Sequence, residues 1–150
     1  MLAPALLAAS LISVQLTGPR AVLTPRDAPR VAVIVDYRGP RSAQNVVVTV
    51  TASGGRISPQ RGTTCQRSAD GALVCPVVPI AHAATEWLFF LVTRLRRGRP
   101  LRVDARVTSS NAGRAHATLT RPVRARAAYE TTRLTSLSGT TITRASLPSM

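Results

Sequence analysis

Arginines and one pair of cysteines are the side chains of this 150-residue sequence whose spacing could do chemistry. Arg94, Arg96, Arg97, Arg99 and Arg102 fall around one turn, and Arg121, Arg124 and Arg126 follow the last expected strand. Guanidinium forks match phosphate and carboxylate oxygens, so the 94–102 cluster is a candidate grip for a polyanion such as nucleic acid or an acidic wall polymer. The formal charge is +14, and all 20 basic residues are arginine. Such exclusive use of one basic residue points first to compositional bias, and a solvated arginine surface without a specific partner is the simpler reading. Single-stranded nucleic-acid binders interleave basic residues with stacking aromatics. Here only 3% of residues are aromatic, and none lies inside either cluster.

Cys65 and Cys75 are the only cysteines, with Asp70-Gly71 between them. A three-residue loop Ala69-Asp70-Gly71, with Gly71 left-handed, pairs residue 68 with 72 and sets Cys65 opposite Cys75. Opposed residues of a non-hydrogen-bonded antiparallel pair are close enough for a disulfide. A bridge is therefore expected in preference to two buried free thiols, and it implies an oxidising compartment. Two cysteines are too few for a structural zinc site, and His82 and His116 lack the spacing to complete one. No metal or cofactor is expected.

Catalytic signals are weak. The six acids, Asp27, Asp36, Asp70, Glu86, Asp104 and Glu130, are scattered, whereas paired-carboxylate hydrolysis needs two on one cleft. The sequence carries no nucleophile elbow, phosphate-binding glycine loop or zinc helix motif. The expectation is a chain that is not an enzyme and takes no small-molecule substrate.

The elements that position these residues read as strands. Ile12, Val14 and Leu16 alternate with polar residues and form a first strand; Val22-Leu23 forms a short second one. From Val31 to Thr51, two β-branched runs flank Gly39-Pro40, which predicts a strand-turn-strand hairpin. The cysteine hairpin follows, then Glu86-Trp87-Leu88-Phe89-Phe90-Leu91-Val92, apolar on both faces. Trp87, Phe89 and Leu91 share one face and Leu88, Phe90 and Val92 the other; whichever is the outer face is either covered by the N-terminal segment or the tail, or exposed as a patch for a neighbouring domain or protein. Leu101, Val103, Ala105 and Val107 point inward and alternate with Arg102, Asp104 and Arg106, and Asn111-Ala112-Gly113 turns the chain into a last strand over 115–120. Residues 1–10 are an apolar remnant, a possible truncated signal peptide too short to span a membrane; residues 124–150 are a flexible Thr/Ser-rich tail.

Leu11 to Pro19, Val22-Leu23-Thr24-Pro25 and Gly39 to Val48 together resemble the bacterial conserved-repeat family known as "domain of unknown function eleven". The resemblance covers about residues 11 to 123. It implies an immunoglobulin-like sandwich found in tandem on secreted or wall-attached bacterial proteins. The residues point the same way, since short alternating strands recur with turn signals between them.

The expected fold is thus all-β, an immunoglobulin-like antiparallel sandwich of about seven strands over residues 11–123. The expected function is a structural or adhesive module, secreted or at the cell surface, whose partners are neighbouring repeat domains or another surface protein. The alternative is an arginine-rich polyanion-binding module.

Overall fold

The structure is a computed structural model that describes residues 11–20 and 22–124; the expectations for residues 1–10 and 125–150 lie outside the described residues. Alternation of buried valine with polar residues sets each strand's inner face. In chain order the strands are β1 (Ile12–Thr17), β2 (Arg30–Tyr37), β3 (Val46–Ser53), β4 (Arg56–Pro59), β5 (Gln66–Arg67), β6 (Leu73–Val77), β7 (Thr85–Thr93), β8 (Leu101–Thr108) and β9 (Arg114–Arg121). They form a four-stranded sheet, β1-β2-β7-β4, and a five-stranded sheet, β5-β6-β3-β8-β9. Every strand pairing is antiparallel. The fold is the expected all-β sandwich.

The core lies between the sheets and is mainly aliphatic. Val31, Val33 and Val35 of β2, Phe90 and Val92 of β7, Val48 and Val50 of β3, and Val103, Ala105 and Val107 of β8 are all fully buried. The inward set expected for β8 is the buried set.

Three expectations change. The 31–51 run is not a hairpin: β2 pairs with β1 and β7, while β3 pairs with β6 and β8 in the other sheet. Residues 38–45 bridge the roughly 10 Å between sheets instead of folding back. Within this link Ala43 exchanges both backbone hydrogen bonds with Ile80, at 2.7 and 3.1 Å. The Asn111 side chain accepts from Gln44 N at 2.8 Å and donates to Ser42 O at 2.9 Å, which fixes the crossing. Both edges of β2 are already occupied, so β3 has no edge to pair with.

Val22-Leu23 is not a strand. Leu23 makes a single parallel bridge to Val123, and the chain on either side runs free of a ladder. Finally, the described residues form nine strands where about seven are expected. β4 was not anticipated because only Ile57 of its four residues is buried, too little alternation to read from sequence. It follows the tight Gly54-Gly55 turn, where a Cβ on Gly54 would meet the Pro100 carbonyl and φ is +80°.

Candidate functional site

The cysteine hairpin is β5–β6 with its loop. Gly71 has φ of +91°, Ser68 N donates to Ala72 O at 2.8 Å, and Gln66 and Arg67 stand opposite Val74 and Leu73. That register places Cys65 opposite Cys75, and the two form a disulfide with Cα atoms 4.1 Å apart. Asp70 caps the loop: Ser68 Oγ donates to its carboxylate, as does Ala72 N at 3.3 Å. The Ser68 hydroxyl first, then the Ala72 amide, hold the Asp70 carboxyl below the ordinary carboxylate range.

The arginine cluster divides. Arg94, Arg96, Arg97 and Arg99 are exposed on the β7–β8 loop, whereas Arg102 lies on β8 and points from the outer face of the sheet. Arg102 Nε binds Asp104 Oδ2 at 3.1 Å, so its charge is engaged. Gly98 N donates to Val123 O at 3.1 Å and Arg124 N to Leu23 O at 2.8 Å, which brings exposed Arg124 to the loop's end of the molecule. Arg121 is half-buried and spends its Nε–H on Pro19 O at 2.5 Å, a structural tie between β9 and the β1–β2 connection. Arg126 lies outside the described residues. The five-residue cluster read from sequence is thus four loop arginines joined by Arg124, with Arg102 elsewhere.

The apolar strand β7 resolves into two faces. Leu88, Phe90 and Val92 are buried in the core. Trp87 and Phe89 point outward and are 53% and 44% exposed, with Leu91 half-buried beside them. Trp87 stands opposite half-buried Ile34 and Phe89 opposite Ala32, and the two rings lie near-parallel, 22° apart with centroids separated by 6.1 Å. The outer face of the four-stranded sheet therefore carries an apolar patch that the described residues leave open.

The acids sit on separate elements. Asp36 at the end of β2 accepts from Thr85 Oγ1 at 2.9 Å and from Arg38 Nε at 3.1 Å; these bonds, Thr85 first, lower its pKa. Asp104 accepts from Thr118 Oγ1 at 2.6 Å and from Arg102, and its pKa is lowered by Thr118 and then Arg102. His82 lies on a loop with Nδ1 2.6 Å from Gly39 O, so Nδ1 carries the proton there. Among the described residues, no three His, Cys, Asp or Glu side chains are grouped to hold a metal ion. No helix of the described residues is long and apolar enough to cross a membrane.

One group escaped the sequence reading. His116 on β9 stands directly opposite Arg106 on β8, which in turn stands opposite Thr49 on β3. The outward phase of Arg106 was visible in the β8 alternation. Its neighbours were not, because cross-strand pairing is a long-range property.

No known family profile matches this chain, and no curated protein matches it. Solved structures do. The solution structure of a CARDB domain from Pyrococcus furiosus is 20% identical, with a TM-score of 0.52 over 77% of this chain and 96% of that one. AvmM, which catalyses macrocyclization in alchivemycin A biosynthesis, is 12% identical, with a TM-score of 0.52 over 77% of this chain and 90% of that one. The DNA-binding domain of Cep-1, the C. elegans ortholog of human p53, is 8% identical, with a TM-score of 0.53 over 79% and 91% of the two chains. Neighbours of such different activity share only the frame, and at these identities the likeness shows a β-sandwich fold.

Proposed function

We propose that this chain is a non-enzymatic structural or adhesive module of a secreted or cell-surface bacterial protein, of the repeat-domain kind that residues 11–123 resemble. The observation that carries this reading is the open Trp87–Phe89 face on the outer side of the four-stranded sheet. An apolar patch on a sandwich face suits contact with an adjoining domain or surface protein, and aromatic rings supply most of the contact energy at such junctions. The Cys65–Cys75 bridge supports an oxidising location. The CARDB-like frame supports a module without bearing on what it touches.

A second reading, polyanion binding, is favoured by one observation: Arg94, Arg96, Arg97 and Arg99 share one end of the sandwich with Arg124. One experiment separates the two. The protein and a variant with the four loop arginines changed to Ser are titrated with DNA and with an acidic wall polymer at low and near-physiological salt. A structural module tolerates the change and binds neither polymer at near-physiological salt. A polyanion binder loses affinity, and the slope of log affinity against log salt flattens by roughly one unit for each phosphate that is no longer neutralised.

A further inference from the structure

The outward face of the five-stranded sheet has its own chemistry, away from both surfaces above. Two depressions of about 420 and 440 Å³ lie on it, and they share Arg106 and His116. Cross-strand register builds their floor. Thr49, Arg106 and His116 form one row across β3, β8 and β9; Thr51, Asp104 and Thr118 form the next; Thr108 and Arg114 are paired on the far side. Directly opposed residues hold their Cβ atoms about 5 Å apart and diagonal ones about 7 to 8 Å, so Arg106, Arg114 and His116 converge above one spot.

Charge on this face is unevenly spent. Asp104, the acid of β8, is engaged by Arg102 and Thr118. Asp70 and Asp104 line the depression on the Thr49 side, whereas the depression that Arg114 lines contains no acid. Arg106 and Arg114 are exposed, and among the described residues their guanidinium groups make no side-chain hydrogen bond or close ion pair, although the Arg106 charge also acts on Asp104 from a distance. Two guanidinium forks without hydrogen-bonded side-chain partners on adjacent, laddered strands, beside the His116 imidazole and the Thr108 hydroxyl, offer convergent donors in a depression whose lining holds no carboxylate. Such an arrangement matches the oxygens of a tetrahedral oxyanion.

We propose that this trough is a binding site for a phosphate-type oxyanion, seated between Arg106 and Arg114 with His116 and Thr108 as further donors. Arg106 is five residues along β8 from Leu101, roughly 16 Å from the β7–β8 loop, so the site is separate from the loop arginines. The anion is either free or a repeating group of a polymer.

Calorimetric titration with inorganic pyrophosphate and with long-chain polyphosphate tests the site, using the wild type, Arg106→Gln, Arg114→Gln and the four-Ser loop variant. All substitutions are on exposed side chains, and thermal melts verify folding. Pyrophosphate affinity is expected to fall on the order of tenfold in each Gln variant and to stay within about twofold in the loop variant. Binding of polyphosphate but not pyrophosphate, with the same Gln sensitivity, assigns the site to a polymer's phosphate groups. Affinity unchanged in both Gln variants, or abolished by the loop variant alone, overturns the proposal; the latter result places anion binding at the loop.

Discussion

Phe90 and Trp87 belong to the same strand and face opposite ways, which makes them a paired probe of the sandwich. Phe90 is fully buried between the sheets, while Trp87 is 53% exposed on the outer face. Truncating Phe90 to Ala removes a ring from a close-packed interior and is expected to destabilise by about 3 to 5 kcal/mol. The same change at Trp87 removes partial contacts with Ile34 and Phe89 and is expected to cost about 1 kcal/mol. Urea denaturation of both variants checks the contrast, and comparable losses would show that the outer face is covered. Sequence alone marked six consecutive apolar residues in β7 without saying which three face the core. That choice depends on the facing sheet, whose β3 and β8 valines meet Phe90 and Val92.

The β5–β6 hairpin and the 31–51 run show why one element was legible and another was not. In the hairpin, a three-residue loop with left-handed Gly71 fixes the register locally, so the opposition of Cys65 and Cys75 follows from counting. The bridge closes a loop of about ten residues, for which chain entropy gives roughly 2 to 3 kcal/mol. Reduction with dithiothreitol is therefore expected to lower the urea midpoint by that equivalent while leaving the far-ultraviolet dichroism of the strands unchanged; a midpoint that does not move would show that the unfolded chain is already constrained. Between β2 and β3, by contrast, local grammar misled. Two alternating strands around Gly39-Pro40 look like a hairpin, yet the intervening segment spans the sheets because Ala43 pairs with Ile80 and Asn111 holds Ser42 and Gln44. Those partners lie tens of residues away and leave no mark near the turn.

At the scale of the whole molecule, the carboxylates and the net charge of +14 act together on stability. Asp36, Asp70 and Asp104 have pKa values lowered in the folded state, chiefly by hydrogen bonds from Thr85, Ser68 and Thr118. Because the unfolded carboxyls titrate higher, the unfolded chain binds more protons as pH falls. The stability these groups contribute is complete above about pH 4 and is lost as pH drops through their folded values. Protonation also raises the positive charge, and self-repulsion works in the same direction. The thermal midpoint is expected to be level near neutrality and to fall below about pH 4, with Asp104→Asn reducing the fall; a midpoint that holds down to about pH 2 contradicts the account. The all-β class, the inward face of β8 and the cysteine pairing are legible in the amino-acid order, since they rest on period-two alternation and a short loop. The sheet membership of β2 and β3, the exposure of Trp87 and Phe89, and the grouping of Arg106, Arg114 and His116 emerge only once the strands are assembled. Those features depend on which strands lie side by side and which faces meet across the core, and residues distant in sequence settle both.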